Sequence, residues 1–593
     1  MIFPFILIIS SLVSGFEVAK YLLSKKLNII DILGFSFPFG ILINSIIGMA
    51  LNSFLFCSIV HFTFQIAINV FIIMTFMKLN RTYRIRKVNV STVCYLFIGF
   101  WILFLGYLSS IALFPRKDMI FKSSENDILF EVSLIASFVK GCNKRRSLLT
   151  SFRNPLLKGH KTFCEIIPIF YESILRVGGF SLRQSIFIPT FLLFASISIL
   201  MFSYTYKLTN NQFLSVMAIP TLFFLGGFGF CNFPENKNID FVFEISSSKY
   251  TQWGHPMLHN FLSMRISLMS LAVTLMVLIL LENGLIYLSG ILCVVEMFIK
   301  PQNGFALFIV YFGYNNILSF DKLKYFCISW IVLSLLFLPY FNIDLKKSLW
   351  NVNSPNSFLP LFDYLLSIFG FGFIVQFLSF KKENIQKIIL FYGEFMFLSV
   401  VSLHCEKRFN FTTIQCVLVP IFVILICLGF KTILNLCKNY EIKGSIMSII
   451  VFLFIGMWAS SLLGIYFLIN KNKLYFDEFD NDLAKWACEN TKPKSVFAVD
   501  YKNSPIWNPV IVKAGRIALF SRQHTLIDFK YKEIDKINSF NNFMNSQVKE
   551  NIDFDYILLT NKSTLKNTIE KNQLFKKVYQ SKKYEVYKYM KRK

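Results

Sequence analysis

The sequence lacks the short motifs that accompany bound metal clusters and bound nucleotides. Its 12 cysteines are scattered, mostly within apolar stretches, and none forms a CxxC pair, so neither a metal cluster nor a disulfide framework is indicated. No GxxxxGKS/T or GxGxxG loop occurs, which disfavours an ATP-driven pump. No cofactor is therefore indicated, and a role for a divalent metal ion is left open.

Charge of one sign is also scarce. The chain has 34 acidic residues against 61 basic ones, which leaves a formal net charge of +27. Such an excess favours contact with anionic lipid headgroups and anionic substrates. The basic residues punctuate apolar stretches instead of forming one patch, so nucleic-acid binding is not indicated.

Long apolar stretches are what the chain has in abundance. Hydrophobic residues make up 55% of the 593 residues, and the mean hydropathy is +0.54. The N-terminal run lacks a basic n-region, so it is expected to be a retained span and not a cleaved signal. We predict an all-α polytopic membrane protein with about 14 transmembrane helices, at 1–23, 29–52, 54–77, 91–114, 185–204, 213–230, 263–282, 285–299, 304–320, 325–341, 358–380, 388–403, 411–430 and 445–469.

The charged turns between these stretches predict the orientation. Residues 78–87 (KLNRTYRIRK) carry five cations and are expected in the cytoplasm. Counting spans from there places the loops 115–184 and 231–262 on the luminal side. Segment 163–180 interrupts its apolar residues with two Glu, an Arg, a Pro and two Gly. We expect this segment to be interfacial or re-entrant and not to cross the bilayer.

The composition changes after residue 470. Residues 471–593 are polar and contain strand-like segments at 555–560 (DYILLT) and 584–589 (YEVYKY). Alternation and short apolar runs predict a small C-terminal α/β domain. The chain is thus divided into a transmembrane domain, 1–470, and a soluble domain, 471–593, which the span count places in the lumen.

Acidic and basic residues lie close together in the first luminal loop. Asp127 and Glu131 are four residues apart, so on a helix both carboxylates share one face. Lys144, Arg145 and Arg146 follow. Acid beside base at a membrane surface is what handling a lipid-linked phosphate requires. The alternative is an amphipathic interfacial helix with Asp127 near its N-cap and a solvated basic loop.

Several motifs, taken in order, resemble the GT-C superfamily of membrane glycosyltransferases, and within it a group of large multi-pass members. The first loop of that group opens with Gly-Asp, three residues and His, followed by an apolar stretch and Gly-Asn. The resemblance covers most of the chain, and its other motifs match in order and spacing. The segments that carry it are NDILFEVSLIASFVKGCN (126–143), NPLLKGH (154–160), GGFSLRQSIFIPTFLL (178–193), LGGFGF (225–230), MRISL (264–268) and WNPVIVKAGR (507–516).

The resemblance implies a catalytic carboxylate in the first luminal loop and a polyprenyl-phosphate sugar as donor. Asp127 matches the Asp of the pattern, whereas Glu131 stands where the group has His. Lys300 and Gln302 lie where the group would carry a pair of His, and HCEKRFNF (404–411) replaces a Trp-rich acidic pattern. These departures leave open a changed substrate or a lost activity.

Transfer from a phosphate donor needs a base for the acceptor hydroxyl and stabilisation of the departing phosphate. We predict Asp127 as the base, with Glu131 orienting or sharing that role. Asp240 and Glu244, four residues apart in the second loop, complete an acidic site or are solvated loop charges. Arg265, at the mouth of a span, binds phosphate or anchors the helix at the headgroups. The other predicted substrate-binding residues are Lys144, Arg145, Arg146 and Lys300.

Two neighbouring patterns are given local explanations. Glu296 and Lys300, one helical turn apart, are expected to form an ion pair. His255 and His259 have the spacing of two zinc ligands, but Pro256 interrupts the turn and no third ligand is evident, so no metal-ligating residue is predicted.

Three functions remain in competition. The first is a glycosyltransferase that passes sugar from a polyprenyl-phosphate to a lipid-linked glycan or a protein, in the endoplasmic reticulum or another endomembrane, or in the plasma membrane of a prokaryote. The second is a secondary transporter or lipid flippase, although no internal hydropathy repeat is seen. The third is a catalytically inactive membrane scaffold, which the replaced polar positions permit. Long luminal acidic loops and a luminal domain favour the first.

Overall fold

The fold was analysed in a computed structural model. The structure describes residues 2–52, 55, 57–83, 85–113, 119–121, 127–143, 166–226, 265–314, 371–379, 411–436, 443–470, 473–499, 508–519, 540, 544, 554–563 and 565–590. Among the predicted features, the spans 325–341 and 388–403, most of 358–380, and the residues Lys144, Arg145, Arg146, Asp240, Glu244, His255 and His259 lie outside the described residues.

The described transmembrane part is helical. Eight of its helices are long and apolar enough to cross a membrane, so the chain is a multi-pass membrane protein. The total of about 14 spans stays a prediction. The helices are α1 (Ile2–Leu23), α2 (Ile29–Asn52), α3 (Ile59–Leu79), α4 (Thr92–Leu113), α5 (Asp127–Val139), α6 (Ile166–Val177), α7 (Leu182–Thr209), α8 (Gln212–Phe224), α9 (Arg265–Glu282), α10 (Ile286–Ile299), α11 (Pro301–Tyr314), α12 (Phe371–Val375), α13 (Phe411–Leu436) and α14 (Lys443–Asn470).

Helix α8 is shorter than its predicted span, 213–230, and two further helices, α10 and α11, flank Lys300. Helix α8 ends at Phe224, α10 has 14 residues, and α11 begins at Pro301, directly after Lys300, and is described to Tyr314. Proline at the first helical position is favourable, because its missing N–H would have no partner there and its fixed φ suits the helix. The polar residues between α10 and α11 are therefore confined to one tight corner.

Small residues allow the first two helices to touch. A Cβ added to Gly15 would lie 1.9 Å from the carbonyl oxygen of Ser36, and one added to Gly40 would lie 2.2 Å from that of Ser11. Close backbone approach of this kind is a common source of helix association in membranes, where hydrophobic burial between helices contributes little. Asn69 of α3 joins the pair through hydrogen bonds with Asn44 and Ser10 at 2.9 and 3.1 Å.

The turns that were expected in the cytoplasm meet at one end of the bundle. The backbone N–H of Ile29 donates to the carbonyl oxygen of Arg86 at 3.1 Å, and Lys26 donates to that of Gly284 at 3.3 Å. Gln212 donates to the carbonyl oxygen of Asn89 at 3.2 Å. The turns after α1, α3, α7 and α9 therefore lie together, which leaves α5, α6 and the start of α9 at the opposite end.

Helices α5 and α6 are buried and not interfacial. Every residue of α5 from Glu131 to Phe138 is buried, and so is every residue of α6 from Ile167 to Leu175. An interfacial helix would keep one face in water, so the interfacial-helix alternative for α5 is wrong. Segment 163–180 was expected to be interfacial or re-entrant and not to cross the bilayer. Its helix α6 packs inside the protein, so the interfacial alternative is wrong, and at 12 residues the helix is too short to span a bilayer, in agreement with the expectation that it does not cross.

The C-terminal domain contains a mixed five-stranded sheet. Strands β3 (Val496–Val499), β4 (Ile517–Ala518) and β5 (Tyr556–Thr560) are parallel, whereas β6 (Phe575–Gln580) and β7 (Tyr584–Tyr589) add antiparallel, in the order β4-β3-β5-β7-β6. Helices α15 (Glu478–Asn490), α16 (Pro509–Val512) and α17 (Lys566–Glu570) complete the described part. The small α/β fold predicted for this region is confirmed.

A two-stranded ribbon joins the first loop to the C-terminal domain. Strand β1 (Met119–Phe121) follows α4, and strand β2 (Lys473–Tyr475) follows α14; the two pair antiparallel, with Met119 opposite Tyr475. The ends of α4 and α14 therefore lie on the same side of the bundle, which is what the predicted span count requires.

Candidate active site

Three charged side chains from three elements meet in the buried end of the bundle. Arg265, the first residue of α9, is only 1% exposed. Its Nη2 lies 2.6 Å from Oε2 of Glu131 on α5, and its Nε lies 2.7 Å from Oε1 of Glu172 on α6. The planar guanidinium is suited to such a double contact, because its donors point in fixed directions. We call Glu131, Arg265 and Glu172 the buried triad.

The triad has two acids for one guanidinium, so it carries one more negative than positive charge when both carboxyl groups are ionised. Arg265 Nη1 and Glu172 Oε2 have no hydrogen-bond partner among the described residues. Burial raises the pKa of Glu172, and the nearby Arg265 opposes that effect. Burying a charge is costly unless an opposite charge lies beside it, so the attraction between Arg265 and the two glutamates holds the triad together. The N–H groups of Nη1 and the oxygen Oε2 of Glu172 can still bond to a further group.

Of the predicted pair in the first loop, the structure explains one member. Glu131 contacts Arg265 and holds that side chain in place. The role predicted for Glu131 beside Asp127, orienting or sharing the base, stays a prediction. Asp127 is the first residue of α5, one turn before Glu131. The role of Asp127 as a base stays a prediction.

Arg265 has a different environment from either predicted one. An anchor at the headgroups would need an exposed side chain, and this one is sealed between α5 and α6. A phosphate would in turn compete with two carboxylates that already neutralise the guanidinium. Among the described residues, Nε and Nη2 of Arg265 contact the two acids and Nη1 has no hydrogen-bond partner. Phosphate binding by Arg265 stays a prediction.

Lys300 forms no salt bridge within 4 Å among the described residues. It follows the last residue of α10, and its Nζ donates to the hydroxyl of Ser267 on α9 at 2.9 Å. The expected ion pair with Glu296 is not formed, because Glu296 accepts instead from Ser270, a neutral residue on α9. Since an ammonium has three donors, Lys300 can bind an anion without losing a salt bridge.

The C-terminal domain fastens the helix that carries Asp127 and Glu131. Arg516, 1% exposed, donates from Nη1 to the carbonyl oxygen of Lys140, just past α5, at 2.8 Å. Its other donors reach α15, at the carbonyl oxygens of Ala487, Cys488 and Thr491 and the hydroxyl of Thr491. Cationic side chains at helix C-termini are favourable, because the carbonyl groups there carry partial negative charge.

Two glycines bring this contact to backbone distance. The N–H of Cys142 donates to the carbonyl oxygen of Gly515 at 3.2 Å, and a Cβ on Gly141 would lie 2.0 Å from that oxygen. Gly515 has a φ of +64°, in the region where glycine carries no Cβ penalty. Both glycines belong to segments on which the family resemblance rests, 126–143 and 507–516.

Sequence reasoning missed Glu172 and the role of Arg516. Glu172 lies within an otherwise apolar helix, FYESIL, and an acid enclosed by apolar residues was the signal that could have found it. In the part of the chain that the structure describes, no group of three or more His, Cys, Asp and Glu side chains is arranged to hold a metal ion.

Comparison with known proteins gives structural similarities. The chain is similar to ArnT from Cupriavidus metallidurans bound to undecaprenyl phosphate, with 10% identity and a TM-score of 0.48 over 84% of this chain and 98% of that one. It is similar to the oligosaccharyltransferase of Archaeoglobus fulgidus in the apo form, with 11% identity and a TM-score of 0.40 over 78% and 69% of the two chains. It is also similar to AglB of that organism in complex with an inhibitory peptide and a dolichol-phosphate, with 12% identity and a TM-score of 0.38 over 79% of this chain and 70% of that one.

No protein-family model and no curated protein sequence matches the chain. The three structural similarities extend over 78–84% of the chain. At this TM-score they describe a general likeness, and the roles of individual residues depend on the contacts given above.

Proposed function

We propose that the chain is a membrane glycosyltransferase that takes sugar from a polyprenyl-phosphate donor on the side of the bundle where α5, α6 and the C-terminal domain lie. The observation that carries this proposal is the buried triad, which ties the loop helix α5 to the mouth of α9. Charged groups buried at the end of a membrane helix are costly, and they are usually retained for function.

The proposed roles follow from the charges. Asp127 accepts the proton of the acceptor hydroxyl as that oxygen attacks the sugar. Lys300 stabilises the negative charge that grows on the departing phosphate, because it has no salt bridge with any acid in the described part of the chain. The triad keeps α5 fixed against α6 and α9, so that the base remains at one position relative to the phosphate.

The donor class is inferred from where the cation lies. Lys300 is located at the end of a short apolar helix, so a phosphate bound there would have its lipid chain beside the bundle. Polyprenyl phosphates combine such a chain with such a headgroup. Undecaprenyl phosphate and dolichol-phosphate are the lipids bound to ArnT and AglB in the structures named above.

The test is a transfer assay with purified protein in lipid nanodiscs and a mixture of polyprenyl-phosphate sugars. Asp127→Asn removes the charge that a base requires and keeps the size of the side chain. We expect transfer to fall by about 100-fold or more at unchanged protein level. Glu478→Gln, which changes an exposed acid at the start of α15, is the control and should transfer normally.

Normal transfer by Asp127→Asn would remove Asp127 from catalysis. No transfer by the wild-type protein to lipid-linked or protein acceptors, with every donor tested, would instead favour the inactive scaffold.

A further inference from the structure

A second polar cluster lies on the side of α9 that faces α10 and α11. Ser267 and Ser270 are one turn apart on α9 and therefore share a face. The hydroxyl of Ser270 donates to Oε1 of Glu296 on α10 and accepts from Nδ2 of Asn303 on α11, at 2.7 Å for the latter. Ser267 accepts from Lys300 at 2.9 Å. Three helices thus converge on two hydroxyl groups.

Two oxygens of this cluster have nothing to accept from. Oε2 of Glu296 and Oδ1 of Asn303 have no hydrogen-bond partner among the described residues, and both residues are 0% exposed. Buried acceptors are almost always satisfied in folded proteins, because water cannot reach them. An amide oxygen and an ionised carboxylate oxygen accept hydrogen bonds, so a group with donors, such as a hydroxyl, is the partner that suits both.

The neighbouring cation narrows the chemistry of that partner. Lys300 lies beside Ser267, and the two acceptors lie around Ser270, so cation and acceptors are separated by about one helical turn, roughly 5–6 Å. A ligand that fits both has hydroxyl groups next to a phosphate. A sugar attached to a phosphate has this arrangement across the width of one ring, whereas a bare phosphate or a lipid tail has not.

We propose that Glu296 and Asn303 bind hydroxyl groups of the donor sugar while Lys300 contacts its phosphate. This inference rests on the proposed function and adds the site at which the sugar is recognised. The cluster is closed around Ser270, and Lys300 is its partly exposed member. The sugar therefore enters at Lys300 and displaces the bond between Lys300 and Ser267.

The experiment compares two lipids on the full chain in nanodiscs: polyprenyl monophosphate, and the same lipid phosphate carrying a hexose or an N-acetylhexosamine. Binding is measured by native mass spectrometry. We expect the wild-type protein to bind at least one glycosylated lipid more tightly than the monophosphate. Glu296→Gln should weaken binding of that lipid by about 10-fold or more and leave the monophosphate unchanged.

Asn303→Leu, which removes the second acceptor and nearly keeps the volume, should show the same selective loss. Ser289→Ala is the matched control. Ser289 is buried on α10, the helix that carries Glu296, and its hydroxyl donates only to the carbonyl oxygen of Ile286 among the described residues. Thermal unfolding of each variant shows whether it is folded.

The outcomes separate this inference from the proposed function. Equal affinity of the wild-type protein for both lipids overturns the sugar site and leaves the glycosyltransferase proposal standing. Loss of both lipids, or of neither, in the folded Glu296→Gln and Asn303→Leu variants also overturns the sugar site. A wild-type protein that binds neither lipid contradicts the proposed function itself.

Discussion

Two arginines are sealed inside this protein, and they are accommodated in opposite ways. Arg265, in the membrane-embedded half, faces two carboxylates, whereas Arg516, in the C-terminal domain, faces backbone carbonyl groups at the ends of α5 and α15. Each is 1% exposed. One buried guanidinium is thus paired with two charged carboxylates, and the other donates hydrogen bonds to the carbonyl groups at two helix ends.

The two environments suit different roles. Carbonyl groups at helix ends are held in place by the backbone and do not change their charge, so the contacts of Arg516 are structural. Carboxylates can be protonated, can rotate and can exchange partners, so the triad around Arg265 is the arrangement suited to a site that handles charge. Both arginines nevertheless act on one helix, α5, from its two ends.

The largest effect is expected at the triad. Arg265→Met leaves Glu131 and Glu172 buried without their cation, which should lower stability by about 3–5 kcal/mol. The measurement is thermal unfolding in detergent. Adding Glu131→Gln and Glu172→Gln removes the unpaired charges and should recover much of the loss. Failure of this triple variant to recover would show that Arg265 matters for its packing and not for its charge.

A smaller effect, located along α5, is expected when Arg516 is changed. Arg516→Met removes the donors of several buried carbonyl groups, each worth about 1–3 kcal/mol when left unsatisfied, with relaxation reducing the total. Hydrogen exchange of the amides in residues 131–143 should rise. Because no carboxylate is involved, neutralising Glu131 and Glu172 should not restore protection; restoration would remove the distinction between the two arginines.

The smallest effect is expected at Lys583, which also contacts two carboxylates, but one of them, Asp477, is exposed to water. The second, Asp480, is buried and keeps a hydrogen bond from the hydroxyl of Tyr584 when Lys583 is removed. Its Nζ is 3.0 Å from Asp477 Oδ2 and 2.9 Å from Asp480 Oδ1, and its side chain is 36% exposed. Lys583→Met should cost no more than about 1 kcal/mol, and the difference should shrink in high salt. An effect as large as that of Arg265→Met would mean that burial is not what separates the two sites.

This surface pair also has a defined dependence on pH. Burial acts to raise the pKa of Asp477, but the backbone N–H of Asp480 and the ammonium of Lys583 outweigh it and hold that pKa below its usual value. The contribution of Asp477 to stability is therefore present above its unfolded pKa and is lost as the pH falls through the folded one. Lys583→Met should reduce that acid sensitivity in thermal unfolding scans.

The sequence predicts local features of this molecule well and long-range pairings poorly. The apolar runs predict the spans, and the spacing of Asp127 and Glu131 predicts a helix, because both follow from periodicity. The pairing of Arg265 with Glu131 and Glu172 joins three distant segments, and no local pattern indicates which acids meet it. The expected ion pair of Glu296 with Lys300 fails for the same reason, since hydroxyl groups on α9 engage both residues.

We infer that the end of the bundle formed by α5, α6 and α9 binds a lipid-linked phosphate. The most direct measurement is a cryo-electron microscopy structure of the wild-type protein in nanodiscs saturated with polyprenyl monophosphate. We expect phosphate density within hydrogen-bond distance of Lys300. A phosphate bound at the opposite end of the bundle, or none under saturating lipid, would contradict it.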